Sequence, residues 1–173
     1  GTTDVTRTIC FSKQKKSIMN AYTHVLKGHI AVVQTNLNKI NTGKKIDIRA
    51  RKFLKKVGLD YAHGTGHGVG FFLNVHEGPQ SISKYNNIRL TKGMILSNEP
   101  GFYKKGHFGI RIENLIYVKK FKDKLLFDNF TLAPIEKDLI NYKLLNKSEK
   151  DYLFRYHLKI YSEYSSSLNK NER

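Results

Sequence analysis

His63-Gly64-Thr65-Gly66-His67-Gly68-Val69-Gly70, followed a few residues later by Asn74-Val75-His76-Glu77-Gly78-Pro79, is the stretch that decides how this chain is read. Three histidines stand in a segment too dense in glycine for a regular helix or a long strand. Glycine adopts backbone angles closed to other residues and lets backbone and ligand approach closely. Histidines on such a backbone are placed for chemistry more than for packing. Two carboxylates follow in distinctive settings, Asn98-Glu99-Pro100-Gly101 and Gly109-Ile110-Arg111-Ile112-Glu113-Asn114. One histidine with several carboxylates is the donor set of a hard-metal hydrolytic site.

Helical patterns precede this segment and strand patterns follow it. From Ser17 to Asn36, Ile18, Tyr22, Val25, Leu26, Ile30 and Val33 recur at helical spacing. A second amphipathic helix is expected from Lys45 to Val57, with Ile46, Ala50, Phe53, Leu54 and Val57 on one face and Gly58 as its stop. Val5 to Phe11 reads as a strand, as does Met94 to Asn98, which stops at the Pro100-Gly101 turn signal. Gln80 to Thr91 reads as a polar loop. Gly109 to Lys119 is the best strand, with Arg111, Glu113 and Leu115 on one face and Ile110, Ile112 and Asn114 on the other. Leu125 to Leu132 adds one or two shorter strands. Ser148 to Tyr164 is a third helix, with Leu153, His157, Ile160, Tyr161 and Tyr164 as its apolar stripe. Helices followed by antiparallel-looking strands predict an α+β domain.

At 173 residues the chain has room for one domain with a real core. The formal net charge of +17 comes from scattered lysines rather than a basic tail, so a solvated lysine-rich surface is the expected reading and nucleic acid is not an expected partner. The single cysteine, Cys10, excludes an internal disulfide and is expected to be buried and inert. No apolar stretch approaches a membrane span, and no signal-peptide pattern opens the chain.

Asp4, His67, Glu99 and Glu113 are the candidate metal ligands. They are far apart in sequence, so only the fold could unite them. Glu113 is the most exacting, because a carboxylate among Ile110, Ile112 and Leu115 is costly to bury without a metal or an arginine beside it.

Five stretches in register, GTTDVTRT from Gly1, HGTGHGVG, FLNVHEGP, NEPGFY and FGIRIEN, closely resemble the aminopeptidase P family, of the eukaryotic cytosolic type, within the M24 "pita-bread" metallopeptidases. The resemblance runs from Gly1 to about Ser162 and implies a partial pita-bread fold, a curved antiparallel sheet with helices outside. It implies a catalytic domain over residues 1–164 lacking its N-terminal part, and a polar tail over 165–173. It also implies two divalent metal ions, usually Mn(II), though carboxylate-rich sites accept cobalt or iron. Asp4 and Glu113 would bridge the two ions, and His67 and Glu99 would complete the second. The family uses one further aspartate upstream of the position matched by Asp4. That residue lies ahead of Gly1, so the expectation is a fragment one ligand short, with a preceding segment supplying it.

The implied reaction is hydrolysis of the bond between any N-terminal residue and a penultimate proline, through a hydroxide shared by the two ions. By the same resemblance, His76 orients the substrate carbonyl and helps proton movement, His63 lies at the proline side, and Glu99 accepts the water's proton as well as binding metal. Arg111 holds carboxylates in place from behind. A cytoplasmic homodimer is implied, with the Leu153 to Tyr164 helix, through Phe154 and Tyr156, as the candidate contact. Two alternatives remain open at this stage: a prolidase restricted to Xaa-Pro dipeptides, and a non-catalytic pita-bread scaffold binding nucleic acid or protein.

Overall fold

The computed structural model describes residues 3–71 and 74–171; Gly1, Thr2, Phe72 and Leu73, part of the recognised motifs, and the end of the polar tail lie outside the described residues. Two helices come first, α1 (Lys16–Val33) and α2 (Gly43–Lys55). The strands follow: β1 (Gly66–His67), β2 (Ser81–Ile82), β3 (Ile95–Asn98), β4 (Gly101–Lys104), β5 (Phe108–Arg111), β6 (Asn114–Phe121) and β7 (Lys124–Asn129). A third helix, α3 (Lys147–Tyr164), closes the order, preceded by a 3-10 turn at Tyr142–Leu144 and followed by another at Ser165–Ser167. The fold is α+β, and among the described residues every strand pairing is antiparallel.

The helices form where the periodicity places them. Tyr22, Val25, Leu26 and Ile30 of α1 are fully buried and pack with Ile110, Ile112, Leu153, Tyr156 and Ile160. Beyond the end of α2, Gly58 adopts a φ of 72°, a left-handed angle that lets the chain reverse at little cost. Val57, expected on the apolar face of α2, is exposed, because the helix has ended before it. The α3 stripe is also corrected: Leu153, Tyr156 and Ile160 are buried, whereas Tyr161 and Tyr164 are exposed. Asn146 caps α3 through the Glu149 backbone, and Glu149 returns the bond while its carboxylate meets Lys27 of α1 at 2.6 Å.

The expected strand over Val5 to Phe11 does not form a ladder. Val5, Ile9 and Phe11 are exposed, and pairing is limited to a bridge between Thr6 and Glu113. The Thr8 hydroxyl serves where a ladder would: it donates to the Arg111 carbonyl at 3.1 Å and accepts from the Arg111 N–H at 3.0 Å. Cys10 is half-buried against the core rather than fully enclosed.

The expected single strand over Gly109 to Lys119 is split at Ile112-Glu113. β5 pairs with β4, whereas β6 pairs with β3 and β7. The cause lies in the facing chain, where Pro100 has no N–H to give between β3 and β4. At the break, Ile112 N–H donates to the Pro100 carbonyl and Glu113 N–H turns to the Thr6 carbonyl. The Pro100-Gly101 signal therefore ends β3 at Asn98, as expected, and the chain resumes as β4 against a different partner. The region read as a polar loop, Gln80 to Thr91, contains β2 and buries Ile82 and Leu90.

Candidate metal centre

Glu99 and Glu113 face one another across this break, which lies between the Asn98–Asn114 and Gly101–Arg111 pairs. Both carboxylates are buried, with residue exposures of 9% and 3%. His67 enters from β1. Its Nδ1 lies 3.1 Å from the Gly68 carbonyl, to which it must donate, so that Nε2 is turned inward. His67 Nε2 lies 3.1 Å from Asp4 Oδ2 and 3.4 Å from Glu99 Oε1. One ligating atom each from Asp4, His67 and Glu113 falls within 4.8 Å of the others. All four expected metal ligands are thus neighbours.

Electron pairs facing one another in a buried site call for a positive charge between them. Asp4 Oδ2 is buried and, apart from its 3.1 Å approach to His67 Nε2, takes no hydrogen bond from the described residues. Burial pushes the Glu113 carboxyl up to about 7; Glu99 and Asp4 push the same way, against the hydrogen bond from Thr6. The donors fit divalent cations: hard carboxylate oxygens and one imidazole nitrogen, gathered in a largely buried site.

Neighbouring groups fix this arrangement. The Ser97 hydroxyl accepts from His67 N–H and donates to Glu99 Oε1, both at 2.9 Å. A methyl group at Gly66 would overlap the Ser97 carbonyl oxygen, so only glycine lets β1 approach β3 this closely. Arg111 Nη1 lies 3.4 Å from Glu99 Oε2. The arginine thus meets Glu99 and leaves Glu113, the costlier carboxylate, to another partner.

The other two histidines occupy different surroundings. His76 is exposed, and its ring meets that of His67 edge-on at a centroid distance of 3.8 Å. His63 is in contact with Tyr103 instead. His24, His29, His107 and His157 lie outside the cluster; His29 is fully buried against the strand break, with Nδ1 3.2 Å from the Ile112 carbonyl.

Sequence reading missed the support beneath the glycine-rich segment. The Arg51 guanidinium donates to Asp47 and Asp60, each at 2.8 Å, and to the carbonyls of Tyr61 and His63, each at 2.6 Å. Thr65 donates to Asp47 Oδ1 at 2.6 Å and accepts from the Tyr61 hydroxyl. The one available signal was Asp47 and Arg51 spaced for a helical pair on the buried side of α2.

A histidine and three carboxylates meeting at a seam between antiparallel ladders define a metallohydrolase type of centre. The chain belongs to metallopeptidase family M24, whose model matches residues 1–120, and the C-terminal region of peptidase M24 matches residues 123–173. It is 47% identical over 184 residues to a probable Xaa-Pro aminopeptidase P of Coprinopsis cinerea, covering all of this chain and 30% of that protein. It is 48% identical over 170 residues to Xaa-Pro aminopeptidase 1 of Dictyostelium discoideum, covering 92% of this chain and 27% of that one. Among solved structures, an X-prolyl aminopeptidase from Caenorhabditis elegans, described as a cytosolic enzyme with a di-nuclear active site, superposes with a TM-score of 0.89 at 39% identity, covering 97% of this chain and 28% of its own. The prolidase of Pyrococcus furiosus superposes with a TM-score of 0.64 at 30% identity, covering 72% and 35%. The chain spans less than a third of the length of the two aminopeptidase sequences.

Proposed function

We propose that this chain is the catalytic part of an Xaa-Pro aminopeptidase, which removes an N-terminal residue that precedes proline. The observation that carries the reading is the meeting of Asp4, His67, Glu99 and Glu113 in one largely buried cluster. These residues would hold two divalent cations, with Mn(II) the expected metal, and an upstream aspartate would complete the set. Bound there, the cations supply Lewis acidity and an ionised water at neutral pH.

The protein's own groups account for the remaining needs. The bond before proline is a tertiary amide, so the departing nitrogen carries no proton and must receive one. His76, exposed beside His67, is the candidate to orient the scissile carbonyl and pass that proton. Glu99 is the candidate acceptor for the attacking water's proton. Its Oε1 already takes a hydrogen bond from Ser97, and its Oε2 faces Arg111. His63, steadied by Tyr103, is assigned to the proline side.

Residues 1–164 form the catalytic unit in this reading, with 165–173 a polar tail. The protein works in the cytoplasm as a homodimer. Exposed Phe154, Leu158 and Tyr161 on α3 support that contact, whereas Tyr156, expected to join them, is buried in the core. No helix among the described residues is long and apolar enough to cross a membrane. A monomeric mass for the full-length protein would count against the dimer.

The test is release of the first residue from an Xaa-Pro-Pro tripeptide by the full-length protein, with and without a chelator and in His67→Ala. Metal-dependent release is expected; activity that survives both chelation and His67→Ala overturns the proposal. Cleavage of Xaa-Pro dipeptides with the tripeptide untouched would make it a prolidase instead.

A further inference from the structure

Arg7 lies three residues beyond Asp4 and takes part in no ion pair among the described residues. Its half-buried guanidinium is instead surrounded by neutral acceptors. Nη1 donates to the carbonyls of Thr6, at 2.9 Å, and Glu113, at 2.6 Å. Nε donates to the Pro134 carbonyl at 2.7 Å. Nη2 donates to Asn114 Oδ1 and the Ala133 carbonyl, each at 2.7 Å, and reaches the Tyr156 hydroxyl at 3.1 Å.

These partners belong to different parts of the chain. Thr6 lies two residues beyond Asp4, and its hydroxyl donates to Glu113 Oε2 at 2.5 Å. Glu113 and Asn114 lie at the strand break. Ala133, Pro134 and Tyr156 belong to the C-terminal region. The Tyr156 hydroxyl donates onward to the Ala133 carbonyl at 2.8 Å and accepts from Asn114 Nδ2 at 3.2 Å. A flat guanidinium with five fixed N–H directions can hold such a set, whereas a lysine ammonium with three donors cannot.

We propose that Arg7 is a positioning residue through which the C-terminal region, by way of Tyr156 and the 133–134 carbonyls, sets the spacing between the Asp4 and Glu113 carboxylates. The inference rests on the reading of those carboxylates as metal ligands. On this account the C-terminal region holds the metal centre in register from a position where it touches neither metal nor substrate. Groups behind ligands tune metal affinity roughly ten- to a hundredfold.

The decisive experiment compares wild type, Arg7→Lys, Tyr156→Phe and Glu113→Gln in the full-length protein. Mn(II) affinity is measured by calorimetry, kcat and KM on an Xaa-Pro-Pro tripeptide, and metal-free stability by urea unfolding. Tyr156→Phe keeps the ring and its packing, so it decides the matter even where Arg7→Lys fails to fold. The expected result is a Mn(II) Kd raised roughly tenfold in Tyr156→Phe, with kcat lowered and KM unchanged. An unchanged Kd and kcat in Tyr156→Phe, alongside loss of binding in Glu113→Gln, overturns the positioning role and leaves the metal site standing. No Mn(II) binding by wild type overturns the metal site itself, and this inference with it.

Discussion

His63 Nε2 lies 3.0 Å from the hydroxyl of Tyr103, and that hydroxyl accepts a 2.7 Å hydrogen bond from Arg111 Nε. His63 Nδ1 is 2.6 Å from the Gly64 carbonyl and must donate to it, so Nε2 accepts the Tyr103 proton. Burial holds the His63 imidazole below its ordinary pKa, and the positive charges of Arg111 and Arg51 add to that effect. Tyr103 therefore links a neutral imidazole to the arginine that faces Glu99. Tyr103→Phe should cost about 1 kcal/mol of substrate binding, roughly a fivefold rise in KM, with kcat little changed. Steady-state kinetics on an Xaa-Pro-Pro peptide checks this.

Ser97 carries two bonds within the candidate centre, one to the His67 backbone and one to Glu99. Ser97→Ala removes both with almost no change in volume. Divalent-metal affinity should fall ten- to a hundredfold while the far-ultraviolet circular dichroism stays unchanged. A calorimetric titration with Mn(II) would refute the assignment if the affinity stayed within twofold.

Gly66→Ala should act on stability before chemistry. Its methyl would press on the Ser97 backbone, which cannot rotate aside. A loss of about 1–3 kcal/mol is expected, as for other overpacked sites. It should appear as a lower urea midpoint with an unchanged slope.

His29 should make the fold acid-sensitive. Burial, with the charge of Arg7 acting the same way and hydrogen bonds at Ile112 and Asn98 opposing both, lowers its pKa to about 3. The imidazole is neutral in the folded protein but takes a proton in the unfolded chain below about pH 6.5. Between those values the unfolded state binds more protons, so stability rises with pH and falls on acidification. Urea unfolding from pH 7 to pH 4 should show this loss, and His29→Asn should flatten part of it. Identical slopes in the two proteins would exclude His29 as the cause.

Much of this was legible in the sequence, for identifiable reasons. Residues whose burial repeats with the helix, such as Tyr22, Leu26 and Ile30, declare themselves by spacing alone. Asp4, His67, Glu99 and Glu113 were legible as a set because each sits in a distinctive short motif. The break at Ile112-Glu113 was not, because Gly109 to Lys119 alternates as one strand and the interruption comes from Pro100 on the facing chain. Arg7 and Arg51 were hidden for a related reason. A basic residue reads as surface until its partners are known, and those partners are mostly backbone carbonyls, which carry no sequence signature.

The seam at Ile112-Glu113 also bears on how the molecule folds. α1 and α2 pack early in the chain, and the β6–β7 hairpin is local, so both can form over short loops. The Thr6–Glu113 bridge, by contrast, joins residues 107 positions apart and can close only after most of the chain is ordered. The helices and the hairpin would be the early events of folding, and the bridge that carries Glu113 toward Asp4 the late one. A partly folded chain would then hold its secondary structure and its glycine-rich loop without the two carboxylates in reach of each other, which separates assembly of the scaffold from the onset of metal capture.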